Sequence, residues 1–184
     1  MKRNLKNLIS VSYTLIKFLV IKMFHWKSFK FSLIERFSPN TEIDIGKNAR
    51  LILNKRVRAH SHTKLRVRNS AELIVGENTA FNYGCIITSH HKIKIGKNSI
   101  FGPNVLVYDH DHDFRTAGGV KENKYRTSPV EIGDNVWIGA NTVILRGTKI
   151  GNNCVIGSGS IVKGEYPDNV IIVQKRETQS IPIQ

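Results

Sequence analysis

Residues 130–162 read VEIGDNVWIGANTVILRGTKIGNNCVIGSGSIV, and every sixth position, Ile132, Ile138, Ile144, Ile150, Ile156 and Val162, is aliphatic. Glycine follows at Gly133, Gly139, Gly151 and Gly157, and the fourth residue after each aliphatic is small or β-branched: Val136, Thr142, Thr148, Cys154 and Ser160. A six-residue period fits neither the helical repeat of 3.6 nor simple strand alternation. It fits a chain that makes a short strand, turns a corner at Gly or a small polar pair where φ can be positive, and begins a new face. Three faces close one triangular coil of roughly eighteen residues, so the sequence predicts an all-β solenoid.

The same grammar recurs less regularly at Ile45-Gly46 with Leu51 and Val57, at Val75-Gly76 with Phe81 and Ile87, and at Ile95-Gly96 with Phe101-Gly102 and Val107. The expected division is an N-terminal, helical extension over 1–40, a solenoid over 41–173 and a tail over 174–184. The register jumps between Ile87 and Ile95 and again between Val107 and Ile132. The second jump is too long for a turn, so residues 108–129 are expected to leave the coil as a loop, and loops on a rigid scaffold are where function concentrates.

The 184 residues carry a formal net charge of +14 at pH 7. Such a charge calls for an anionic partner: nucleic acid, an acidic membrane face or a phosphorylated small molecule. The repeat region has no basic helix, zinc spacing or RNP-like aromatic pattern, which argues against nucleic acid. Basic residues cluster instead at Lys2, Arg3, Lys6, Lys17, Lys22, Lys27, Lys30 and Arg36, around an apolar run broken by Lys6, Lys17 and Lys22. These lysines argue against a spanning helix, and no small-x-small site follows to make it a signal peptide. An amphipathic helix remains, suited either to peripheral contact between residues 1–30 and an anionic membrane or to capping the open end of the solenoid. Cys85 and Cys154 occupy inward slots and read as core thiols, with a reducing cytoplasm as the default compartment.

The seven histidines are His25, His60, His62, His90, His91, His110 and His112, none of them in the regular coils that follow. Histidine titrates near neutrality and is the usual base for taking a proton from an alcohol. The stretch GPNVLVYDHDHDF (102–114) places two of them where the coil ends and the loop begins. If it is extended, His110 and His112 project to one side and Asp109, Asp111 and Asp113 to the other.

The run I-G-D-N-V-W-I-G-A-N-T-V-I, preceded by S-P-V-E and followed by K-I-G-N-N-C-V-I-G-S-G-S-I-V, resembles the hexapeptide-repeat acyltransferases, most of all the galactoside and maltose O-acetyltransferase group and its polysaccharide-modifying relatives. The likeness covers roughly residues 70–165. It implies a left-handed parallel β-helix, a handedness the period alone does not give, since parallel crossovers are generally right-handed. It also implies a homotrimer using acetyl-CoA as co-substrate. Counting from Asn104-Val105 puts His112 in the place of the family's catalytic base, with His110 as the alternative.

The resemblance further matches Asn82, in AFNYGC, to an acceptor-binding asparagine, whereas the family's second asparagine is replaced by Gly84 and a carboxylate is missing at Thr88-Ser89-His90-His91. The acceptor pocket is therefore expected to differ, with His90 and His110 among its residues. Trp137 matches an interfacial tryptophan, and should point outward. Ala140, Ser158 and Gly159 lie in the coils that hold the pantetheine arm, while Lys163, Lys175 and Arg176 are the candidates for the coenzyme phosphates. The family's Gly-x-Pro-Ala ending is replaced by IIVQKRETQSIPIQ.

The expected reaction is transfer of an acetyl group to a sugar hydroxyl, on a glycan or lipid-linked intermediate for capsule or lipopolysaccharide, in the cytoplasm and peripherally at the inner membrane face. The rivals are N-acetyl transfer to a nucleotide-linked amino sugar, a non-catalytic β-helix scaffold, and a γ-type carbonic anhydrase with zinc held by His90, His91, His110 and His112. The last lacks that family's histidine in a later coil, and no metal is expected.

Overall fold

The structure, a computed structural model, describes residues 2–175, 177 and 179. Three parallel sheets of seven, seven and six strands run the length of the molecule, and a two-stranded antiparallel ribbon stands off them. Each coil gives one strand to each sheet. Val130–Ile132, Trp137–Ile138 and Val143–Ile144 pair with Lys149–Ile150, Val155–Ile156 and Ile161–Val162 of the next coil. The register sets Ile132 on Ile150, Ile138 on Ile156 and Ile144 on Val162, so like side chains stack inside the prism. All six are buried, as are the small slots Val136, Thr142, Thr148, Cys154 and Ser160. Each fully buried aliphatic of this size contributes about 2 kcal/mol.

The coil opens earlier than the expected position 41. Phe29–Lys30 pairs with Arg50–Leu53, and Arg36–Phe37 with Arg58–Ala59. The first slip in the six-residue count also has a structural cause. Arg50–Leu53, Glu72–Val75 and Lys92–Ile95 are four residues long with alternate residues inward, so each buries two side chains where two-residue strands such as Lys149–Ile150 bury one. The count of six from Ile87 continues correctly to Ile93, and the longer strand then adds Ile95.

The corners divide the labour between two residue types. Asparagine takes the left-handed conformation, at φ 56° in Asn98 and Asn135 and 55° in Asn153. Its short polar side chain tolerates that region. The side chains also form a ladder along one edge: Asn78 donates to Asn98 (2.9 Å), Asn98 to Asn135 (3.0 Å), Asn135 to Asn153 (3.1 Å) and Asn153 to Asn169 (3.0 Å). The glycine after each inward aliphatic is not the left-handed residue of its corner. It is required because successive coils touch there: a Cβ on Gly133 would lie 2.6 Å from the Gly151 carbonyl oxygen.

Helix α1 (Lys2–Phe24) closes the first coil. Phe18 is fully buried, edge-on to Phe29 and Phe31 at 5.2 Å and to Phe37 at 4.9 Å. The Phe37 N–H donates to the Thr14 hydroxyl at 2.9 Å. Two lysines that interrupt the apolar run are tied down here. Lys17 donates to the Thr41 carbonyl at 2.6 Å, and Lys22 to the carbonyls of Trp26 and Phe29. The helix is therefore fastened to open backbone at the end of the coil, which terminal coils must cover. Burial lowers the Lys17 pKa below its ordinary value.

Glu35, in the same end layer, is buried with neither carboxyl oxygen hydrogen-bonded in good geometry. Burial pushes it up to about 8, against a smaller pull from the backbone at Val57 and Ser32. An isolated buried carboxylate is costly, so the neutral form is favoured.

Two predictions follow from these contacts. Gly133→Ala should cost about 2 kcal/mol in chemical denaturation, because the new methyl meets fixed backbone. Gly157→Ala, whose Cβ would first meet the Val173 side chain at 3.2 Å, should cost clearly less; equal losses would contradict the close-approach argument. Since Glu35 releases its proton near 8 in the fold and near 4.5 when unfolded, stability falls as pH rises across that window. Glu35→Gln should flatten the decline and melt above the parent beyond pH 8, and a Tm difference that does not change with pH would refute this.

Candidate active site

The fourth coil ends with Leu106–Tyr108, and the chain then leaves the prism as the ribbon of His110–His112 with Tyr125–Thr127. A short 3-10 turn at Gly119–Glu122 lies between its strands. The residue at the exit is Asp109, fully buried. Its carboxylate accepts the backbone N–H of His90 (2.7 Å) and of His91 (2.8 Å) and the Ser89 hydroxyl (2.8 Å), and its carbonyl accepts the Ser128 N–H (2.9 Å). Both ends of the excursion thereby meet at one buried residue, whose side chain is pinned to the coil before it. Burial works against its charge, but hydrogen bonds from His110, His90, His91 and Ser89 hold the carboxyl below the usual carboxylate range.

Three imidazoles gather around this pin. His110 Nδ1 lies 3.4 Å from Asp109 Oδ1, and the His90 and His110 ring centres lie 3.8 Å apart with the planes tilted by 34°. The antiparallel register sets Tyr125 opposite His112, so its ring lies 4.1 Å from His90 and 4.7 Å from His112. Asp111, between the two histidines in sequence, faces the other way and pairs with Arg146. Burial, then the neighbouring His110, pushes His90 down to about 4, with Asp109 opposing. His90 is thus neutral at physiological pH. The rings meet tilted or edge-on, and among the described residues no three His, Cys, Asp or Glu side chains are grouped to hold a metal.

These side chains line a cleft of about 690 Å³ that extends down the edge of the prism to Arg66, Arg68, Asp44 and Gly46. Arg66 forks onto Glu42 (2.5 and 3.2 Å) and Arg68 donates to Asp44 at 2.7 Å. Of the candidates read from sequence, His90, His110 and His112 come together here. Lys163 is exposed at the same edge of the prism in a later coil, where the chain leaves Ile161–Val162.

The other candidates lie on a different edge. Asn82, Ala140 and Ser158 follow the strands of the sheet that carries Trp137, where Asn82 N–H donates to Phe101 O, Gly102 to Ile138 O and Gly139 to Ile156 O in succession. Gly159 N–H donates to Ala140 O at 2.7 Å, which brings those two coils into contact at this corner. Asn82 uses its Oδ1 to accept the Tyr83 N–H. Trp137 is 57% exposed, stacked in register with Ile100 on its flank. Lys175 is exposed beyond the last strand, and Arg176 lies outside the described residues. The candidates read from sequence therefore fall on two edges of the prism. Sequence reasoning did not single out Asp109 as the pin, nor Tyr125, Arg66 or Arg68. Tyr125 arrives by ribbon register and Arg68 by stacking one coil before His90, where its N–H donates to Ser89 O.

Residues 129–164 match the family model described as bacterial transferase hexapeptide (six repeats). The galactoside O-acetyltransferase of Escherichia coli K12 is 37% identical over 101 residues, covering 53% of this chain and 47% of that protein. WbbJ of the same organism, named for O-acetyl transfer in lipopolysaccharide biosynthesis, is 31% identical over 113 residues, covering 54% and 55%. The crystal structure of a maltose O-acetyltransferase from Clostridium difficile 630 is 34% identical, with a TM-score of 0.51 over 75% of this chain and 65% of that one. The chain spans about half the length of the curated relatives it matches. Its triangular coil is consistent with the left-handed parallel β-helix of such proteins, and that repeat and these likenesses make the chain similar to the hexapeptide-repeat transferases.

Proposed function

We propose that the protein is an acetyl-CoA-dependent O-acetyltransferase acting on a sugar hydroxyl, with His112 as general base and with each active site shared by two copies in a homotrimer. The observation that carries this reading is the exposed His112 imidazole at the rim of a histidine-lined cleft, built by the chain's long excursion from the coil. The two edges support the division between subunits: a closed ring of three prisms can set the histidine edge of one against the Asn82, Ala140 and Ser158 edge of the next. Trp137 would then be covered at the junction.

In this scheme the acceptor lies in the cleft near Asn82, His90 and His110. The pantetheine arm runs past Ala140, Ser158 and Gly159, and Lys163, Lys175 and Arg176 meet the phosphates. His112 removes the hydroxyl proton as the oxygen attacks the thioester carbonyl carbon. The carbon–sulfur bond then breaks, and the proton passes from the imidazolium to the departing thiolate, leaving an acetyl ester and free coenzyme. A thioester is already electrophilic, so the protein supplies mainly position, a base and a donor for the oxyanion. The acceptor we favour is a glycan building block on a lipid carrier, met at the inner face of the membrane. The likeness to WbbJ and the basic N-terminal end support it.

His112→Ala should lower kcat by roughly 10²–10⁴-fold while leaving coenzyme binding intact, as read by thiol release with a panel of sugars and by calorimetry with CoA. A full transfer rate in this variant would rule the role out. Asp109→Asn should lower both kcat and Tm, since it weakens the pin on the excursion; the buried charge-assisted bonds are worth roughly 1.5–3 kcal/mol each. An unchanged Tm would show that the pin is not structural.

A further inference from the structure

Helix α1 has two apolar faces, and the coil uses one. Thr14 and Phe18 point into the prism. Opposite them, at helical spacing, Ile9, Ile16, Val20 and Met23 are exposed, from 49% at Val20 to 65% at Ile16 and 76% at Met23, and Phe24 and Trp26 continue the surface at 78% and 68%. Leu33 and Ile34, from the loop after the first strand, extend the same end of the molecule and are likewise exposed. A contiguous apolar surface of this kind is costly in water and marks an interaction site. No described helix is long and apolar enough to cross a membrane.

The charge around the patch selects the partner. No Asp or Glu occurs before Glu35, which is itself buried. Lys27 and Lys30 are exposed beside the patch, with the Lys27 ammonium 5.1 Å from the Trp26 ring. A groove of about 320 Å³ runs from Ser10 of the helix along Arg36, Arg58 and His60, with Arg36 and Arg58 in register on adjacent coils. An apolar surface with a uniformly cationic rim repels a second copy of itself and attracts an anionic interface, where aromatic and aliphatic side chains enter the acyl boundary while lysine and arginine stay among headgroups.

We propose that the outer face of α1 is a docking surface for an anionic lipid bilayer, with the helix lying in the interface and Lys27, Lys30, Arg36 and Arg58 meeting lipid phosphates. The geometry gives this a purpose that rests on the proposed acyl transfer. The histidine cleft extends to Asp44 and Gly46 in the first coil, directly behind the helix layer. The fourth coil, from which His112 projects, stands only about 15 Å further along the axis. An acceptor held at a bilayer would thus be presented along the cleft.

The test is flotation of the full chain with phosphatidylcholine vesicles and with the same vesicles containing phosphatidylglycerol. The intact protein should float with the anionic vesicles alone. Ile16→Glu with Met23→Glu should abolish flotation, and the milder Ile16→Ser with Met23→Ser should weaken it while keeping the parent's Tm. Lys27→Glu with Lys30→Glu should weaken it at least about tenfold, since each basic residue contributes about 1 kcal/mol at such a surface. His112→Ala should float like the parent, which separates this proposal from the catalytic one. Absence of flotation by the intact protein, or flotation that survives the Ile16 and Met23 variants, would overturn it. So would assembly through this face, seen as a smaller species for the Glu variant in sedimentation while the parent ignores vesicles.

Discussion

The structure depends on the close approach of successive backbones at the corners of the coil. Parallel strands space the coils by roughly 5 Å, and at positions such as Gly133 above Gly151 that spacing leaves no room for a side chain. Contact at the corner keeps the strands in register, and register puts Ile132 on Ile150 and Ile138 on Ile156 in an unbroken apolar column. The asparagine ladder seals one edge with a left-handed backbone that a β-branched residue would not accept. A prism made this way has flat faces, defined edges and two ends, and each of these has a separate use.

The proposed chemistry lies at the edges. A regular coil presents short, repetitive corners with little room for a reacting group, so a functional side chain needs a departure from the repeat. The chain departs after Tyr108, and the buried carboxylate of Asp109 turns that departure into a fixed projection by accepting two backbone N–H groups and a hydroxyl from the preceding coil. The contacting rings of His90, His110 and Tyr125 then hold the ribbon against the prism. The end is built differently: α1 covers open backbone with one face and leaves an apolar face exposed on the other.

Much of this was legible in the sequence because the later coils repeat without interruption. Ile132 to Val162 announces the period, and the excursion shows as a gap too long for a turn. The earlier coils were harder to read because four-residue strands such as Lys92–Ile95 superimpose a two-residue alternation on the six-residue count. Lys17 and Lys22 read as interruptions of an apolar helix, whereas their ammonium groups satisfy carbonyls at the open end of the coil. In the site, alternation was enough to put His110 and His112 on one side. It did not reveal which aspartate of the DHDHD string is buried, since that depends on Asp109 standing at the corner against His90 and His91. Arg68 and Tyr125 reach the cleft through coil stacking and ribbon register, relations that no local pattern encodes.

The central claim is that each active site is assembled from the histidine edge of one copy and the Ala140 edge of another. Co-expression of His112→Ala with Ala140→Trp, each inactive alone, tests it most directly. In mixed assemblies the account predicts recovered acetyl transfer, because the intact histidine edge of one variant meets the intact coenzyme edge of the other. Mixed assemblies that form, as shown by differently tagged subunits purifying together, yet remain as inactive as either parent would contradict it.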